Sequence, residues 1–152
     1  MPTSKKEKII TKLRNHYISM ANTVAGNYNK KNARFIVDKY PFNILHLPII
    51  KLIFPNSPVI HMIRNPIDTI ISCFFTNFQD RYSWADSLED SAEVYSIVHT
   101  HSKKILDEVK PKLHTLKYET LVRHFDTETR NLLEFIGLPW NEACLSFHQN
   151  TD

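Results

Sequence analysis

The sequence predicts an α/β fold, a parallel sheet flanked by helices, and it predicts that sheet to be incomplete. Three observations carry this. Short β-branched apolar runs alternate with longer stretches whose apolar residues fall at helical spacing, the order expected of strands joined by covering helices. Only three such runs occur, too few for a good sheet by themselves. The chain also ends at Asp152 without a turn or cap. The expected division is a helix and loop over residues 1–32 and a partial α/β domain over residues 33–152.

Each element follows from local chemistry. Ile9, Ile10, Leu13, Tyr17 and Met20 predict an amphipathic helix from residue 5 to about residue 25. "GNYNKKN" supplies turn residues. "ARFIVDK" reads as a strand stopped by Pro41. "FNILHLPIIKLIF" reads as a helix with Asn43 near its cap, and Pro48 must kink it or stand in its first turn. "VIHMI", residues 59–63, is a second strand, and a helix is expected from Pro66 to about residue 77. "DRYSWADS" is an irregular aromatic loop. Ser87 caps a long helix reaching residue 109, with Leu88, Ala92, Tyr95, Val98 and Ile105 on its inner face. "LHTLKYE" is the third strand. "DTETRNLLEFIGL" is a helix capped by Asp126 and stopped by Gly137, and "NEACLSFHQ" is a last short helix.

Composition excludes several function classes. The 152 residues carry a formal net charge of +3, which does not imply a nucleic-acid partner. The basic stretches "SKKEKIITKLR" and "NKKNAR" read as a solvated helix face. The stretch "ILHLPIIKLIF" is broken by His46, Pro48 and Lys51 and is too short to span a bilayer. No apolar leader opens the chain, so a cytoplasmic protein without a membrane partner is expected. Cys73 and Cys144 read as buried small hydrophobes rather than a disulfide framework. His99 and His101 do not share a helix face, so no metal is expected. The two glycines, Gly26 and Gly137, leave no Gly-rich phosphate loop.

The stretch that carries chemistry is "VIHMIRNPIDTIISCFFTNF", residues 59–78. In an open parallel sheet, ligands bind beyond the carboxyl ends of the strands, and Arg64 stands at such an end. Asn65 can cap the next helix, Pro66 suits its first position, and Asp68 favours its dipole. That helix N-terminus would be an anion site. Ser72 follows Asp68 by one turn on the same face, so Arg64 and Ser72 can both address one phosphate, the first as a charged fork and the second as a neutral donor. The plainer alternative is a surface arginine and a serine bonded to its own helix.

"IRNPIDTIISCFFTNF" resembles the 3'-phosphate-binding motif of sulfotransferases that use 3'-phosphoadenosine 5'-phosphosulfate (PAPS). "DKYPFNILHLPIIKLIFPNSPVIH" is similar to the segment before that motif, particularly in the family's tetratricopeptide-linked bacterial branch. "LKYETLVRHFDTETRNLLEFIGLPWNEACLSFHQN" is similar to its "YEDL…FLGLPW" segment. The resemblance covers residues 33 to 150 and implies a P-loop-like fold with PAPS as co-substrate. It implies that Arg64 and Ser72 hold the 3'-phosphate, that Tyr118 contacts the adenine, and that Lys39 lies near the transferred sulfuryl group.

The departures from the family shape the expectation. The 5'-phosphosulfate loop that should precede residue 33 is absent, as is the basic stretch that should follow Asp152. Pro41 stands where cytosolic members carry a catalytic histidine. His46 could deprotonate an acceptor, but a glutamate upstream is the better candidate. Trp84 and Tyr82 could border the acceptor pocket, although packing explains them as well. The expectation is a sulfotransferase fragment, inactive alone, for an unidentified hydroxyl or amine acceptor, with an exposed sheet edge through which it can self-associate. The alternative is a non-catalytic nucleotide-binding remnant. A P-loop kinase relative would need a phosphate loop and Mg²⁺-binding carboxylates, and neither is visible.

Overall fold

The computed structural model describes residues 4–27, 34–76, 78 and 82–149. Most of the loop expected at "GNYNKKN", the start of "DRYSWADS" and the chain end lie outside the described residues. The chain divides into two compact units, Met1–Ser57 with His101–Val109, and Pro58–Thr100 with Lys110–Asp152.

The first unit opens on helix α1 (Lys5–Asn27). Ser4 and Glu7 cap it reciprocally: the Ser4 N–H donates to Glu7 Oε2 at 2.7 Å, and the Glu7 N–H donates to Ser4 Oγ at 3.2 Å. A 3-10 turn (Pro41–His46) leads into helix α2 (Leu47–Ile53), where Pro48 takes a first-turn position that needs no N–H. Leu47, 2% exposed, is the buried apolar residue here. Tyr17 packs edge-on against Phe54 at 5.2 Å. Arg14 Nε donates to the Ile53 carbonyl at 2.7 Å, placing a cation at the carboxyl end of α2.

The strand expected at residues 33–39 does not form among the described residues, which carry no ladder from 34 to 40. β-propensity alone does not make a strand, because a strand needs a neighbour for its backbone groups. Side chains hold this segment instead. Asp38 accepts from the Tyr17 hydroxyl at 2.7 Å and from Asn43 Nδ2 at 2.9 Å. Burial, reinforced by that carboxylate, pushes the Tyr17 pKa up to about 12. Asn43 is therefore committed to Asp38, and the 3-10 turn has no side-chain cap.

The second unit contains both strands found among the described residues, β1 (Val59–Ile63) and β2 (Leu113–Lys117), paired in parallel with Val59 opposite Leu113 and Ile63 opposite Lys117. Helix α3 (Pro66–Phe75) follows β1, and helix α4 (Leu88–Val109) connects back towards β2, its residues from His101 belonging to the first unit. Ser87 Oγ accepts the Asp90 N–H at 2.9 Å, the expected cap. The inner face of α4 is shifted from the expected one. Ser91 and Ser102 are buried and Tyr95, Val98 and Ile105 half-buried, while Leu88 and Ala92 are exposed. Ser91 is tolerated because its hydroxyl donates to the Trp84 carbonyl at 3.2 Å.

Helix α5 (Tyr118–Arg123) begins directly at the end of β2, and α6 (Phe125–Ile136) follows after one residue. His124 ends α5 and starts α6, so Asp126 already lies inside the helix and cannot cap it. Asp126 instead pairs with Arg130 at 2.9 Å, and the Arg130 guanidinium stacks over Trp140 at 3.7 Å. Gly137 ends α6 at φ 76°, and the Leu138 N–H reaches back to the Leu133 carbonyl at 2.9 Å. A 3-10 segment (Glu142–Gln149) closes the described chain. Leu116, 1% exposed, and Ala85, 2% exposed, are the buried apolar residues of this unit, Leu116 lying where α5 and α6 pack on β2. Ile60 and Met62 of β1 stay about half exposed, whereas parallel sheets are ordinarily covered on both faces.

Candidate functional site

The register of the two strands builds the site. Ile63 lies opposite Lys117, so Arg64 and Tyr118 leave the sheet side by side at its carboxyl edge. The Arg64 guanidinium stands 5.0 Å from the centroid of the Tyr118 ring, a cation–π contact that orients the fork without using its N–H groups. Arg64 is exposed and makes no hydrogen bond or ion pair among the described residues.

Helix α3 starts as the sequence requires, with Asn65 as its cap and Pro66 in its first turn. Asn65 Oδ1 accepts the N–H groups of Ile67 at 2.9 Å and of Asp68 at 3.4 Å. Pro66 has no N–H to offer, and the cap engages the next two, so the exposed side chains Arg64 and Ser72 are the groups at this edge without a described hydrogen-bond partner. Ser72 is exposed on α3 and its hydroxyl bonds no described residue; its carbonyl accepts from Thr76 Oγ1 at 2.6 Å. Burial raises the pKa of Cys73, the next residue, while the positive charge of Arg64 partly opposes the rise.

Of the four residues singled out in the sequence, the structure brings Arg64 and Tyr118 into contact and puts Ser72 on the helix that Arg64 precedes. Lys39 belongs to the first unit, in the segment tied down through Asp38, and its ammonium is exposed without a bond to a described residue. His46 is the exposed last residue of the 3-10 turn. Tyr82 and Trp84 pack on each other at 5.6 Å and on Phe78 at 5.3 and 6.3 Å, which fits the packing reading.

Sequence reasoning missed Glu119. Its Oε1 accepts the Asn65 backbone N–H at 2.7 Å, across 54 residues of sequence. The available signal was an acid directly after the strand-end tyrosine in "KYETL". The Asn65 N–H, the residue's own N–H and the nearby Arg64 and Arg123 charges hold its pKa below the usual 4.5. Among the described residues there is no cluster of acids, histidines or cysteines able to hold a metal ion. No helix among them is long and apolar enough to cross a membrane.

A parallel strand that hands the chain through an arginine to a capped helix, beside a second strand followed by an aromatic residue, defines an α/β protein with an exposed arginine at its sheet edge. The chain belongs to the sulfotransferase family, whose family model matches residues 3–142. It is 28% identical over 117 residues to protein-tyrosine sulfotransferase 1 of Danio rerio, covering 74% of this chain and 32% of that protein. It is 30% identical over 118 residues to an uncharacterized protein of Aquifex aeolicus (strain VF5), covering 75% of this chain and 15% of that protein. The chain thus spans less than a third of the length of either curated relative. No solved structure matches it.

Proposed function

We propose that this chain is the 3'-phosphoadenosine-binding part of a PAPS-dependent sulfotransferase of P-loop-like fold. The observation that carries this reading is Arg64: an exposed guanidinium at a strand's carboxyl end, steered by Tyr118, with its donors uncommitted. A planar fork of that kind suits a phosphate. In this reading Arg64 and Ser72 hold the 3'-phosphate, Tyr118 lies against the adenine, and Lys39 faces the reacting centre.

In the complete reaction the acceptor oxygen or nitrogen forms a bond to the sulfuryl sulfur. The bond to the 5'-phosphate oxygen breaks, adenosine 3',5'-bisphosphate leaves, and a base takes the acceptor's proton. Lys39 would stabilise charge growing on the bridging oxygen. The similarity to a protein-tyrosine sulfotransferase makes a tyrosyl hydroxyl one acceptor to include in a panel of hydroxyls and amines. The 5' side needs further donors, and neither Gly26 nor Gly137 belongs to a phosphate loop. Losing one such donor costs about 10²–10³ in rate, so the 152 residues alone are expected to bind nucleotide without turning it over. The apolar face left open at Ile60 and Met62, and a sheet in which, among the described residues, each strand is an edge, support self-association of the isolated chain. A cytoplasmic setting and kinship with the tetratricopeptide-linked branch complete the reading.

The test is calorimetric titration with adenosine 3',5'-bisphosphate and with 5'-AMP. The bisphosphate is expected to bind more tightly, and Arg64→Ala to remove about 1.5–3 kcal/mol of that preference, roughly ten- to a hundredfold. Equal affinity for the two nucleotides in the wild-type chain would overturn the assignment.

A further inference from the structure

The Asn65 N–H is the point from which the site is held. Asn65 has φ −47° and ψ 128°, outside helical geometry, so its N–H belongs to no helical ladder. It follows Arg64, beyond the last paired residue of β1. That N–H is exposed and open to water, yet Glu119 supplies it with a charged protein acceptor at 2.7 Å. Tyr118, one residue before Glu119, meets the Arg64 side chain. Two successive residues of the second strand's end therefore hold two successive residues of the first: the ring holds the guanidinium, and the carboxylate holds the backbone next to it.

This matters because the α3 N–H groups are already spent on the Asn65 cap. Recognition of an anion then depends on where the Arg64 and Ser72 side chains stand, and the direction of Arg64 follows from the turn at residues 64–65. A carboxylate repels a phosphate, so Glu119 is no ligand for it. It acts through the turn.

We propose that Glu119 is a positioning residue for phosphate recognition, its carboxylate fixing the turn from which Arg64 projects beside Tyr118; this rests on the nucleotide reading above. Two opposed effects follow. The carboxylate orients Arg64, which favours binding, and its charge lies near the phosphate, which disfavours it. Removing the acceptor and removing only the charge should therefore act in different directions. A residue needed merely for folding would not separate them.

The experiment uses the full chain with adenosine 3',5'-bisphosphate and 5'-AMP as probes, and amide proton exchange at Asn65 as a readout independent of nucleotide. Glu119→Ala is expected to expose the Asn65 amide to exchange and to reduce the preference for the 3'-phosphate roughly tenfold, the size of one misplaced charge-assisted hydrogen bond. Glu119→Asp keeps the charge but is one methylene short, and the same loss is expected. Glu119→Gln keeps an acceptor at the same reach, so protection and preference are retained, with bisphosphate affinity equal to wild type or about twofold tighter. The aspartate and glutamine variants carry the test if the alanine variant does not fold. An exposed Asn65 amide with the full 3'-phosphate preference intact would overturn the positioning role and leave the nucleotide reading standing. So would a glutamine variant that loses the preference with the amide still protected. A wild-type chain that binds both nucleotides equally would overturn both.

Discussion

Asn65 separates the stability of the fold from the electrostatics of the site, because one side chain serves both. Its Oδ1 satisfies two first-turn N–H groups of α3, at 2.9 and 3.4 Å. Asn65→Ala deletes that cap and is expected to destabilise the chain by about 1 kcal/mol, within the 0.5–2 kcal/mol typical of such caps. It also frees the Ile67 and Asp68 N–H groups beside Arg64, so bisphosphate affinity should hold or rise slightly. Asn65→Asp keeps the capping oxygen and adds a negative charge at the helix start, where the dipole favours it. Its stability should match wild type. In the proposed nucleotide complex that same charge would stand near the phosphate. At roughly 6–8 Å in water-like dielectric, the repulsion is about 0.5 kcal/mol per unit charge, or up to about 1 kcal/mol against a doubly charged phosphate. The expected result is a two- to fivefold weaker bisphosphate complex, shrinking with added salt. Urea denaturation at constant slope measures the first effect and calorimetry the second. Equal stability of the wild-type and alanine chains would refute the capping argument. An aspartate variant that binds like wild type at low salt would refute the claim that an anion sits at this edge.

Two further outcomes follow from burial. Leu116→Ala, at 1% exposure under α5 and α6, is expected to cost about 2–5 kcal/mol, while Met62→Ala on its register partner, 49% exposed, should cost markedly less; comparable urea midpoints would contradict the core assignment. Burial, with His99 nearby as the second cause, holds the His61 pKa below 6.5, so on acidification the unfolded chain takes up the proton first. Stability should therefore be full above about pH 7 and fall as pH drops through 6.5 towards the lower folded value. His61→Gln should flatten that part of the profile, and an unchanged slope in the variant would assign the loss to other groups.

The sequence by itself determined what short-range chemistry controls. Asn65-Pro66 encoded the start of α3, Ser87 the start of α4 and Gly137 the end of α6, because caps and left-handed turns are satisfied within a few residues. The apolar runs at 59–63 and 113–117 became strands. The placement of Arg64 after a strand and of Ser72 on the following helix was legible for the same reason, the spacing being a property of one strand and one helix. Tertiary structure decided everything that depends on a distant partner. Residues 34–40 have strand composition yet no ladder, since no described strand lies beside them and Asp38 is taken up by Tyr17 and Asn43. Asp126 looked like a cap and became half of an ion pair because α5 runs straight into α6. The contact of Arg64 with Tyr118 and the bond from the Asn65 N–H to Glu119 exist only because β1 and β2 pair with Ile63 opposite Lys117. Strand register joins residues more than fifty positions apart, and in a parallel pair no short turn lies between the strands to announce it.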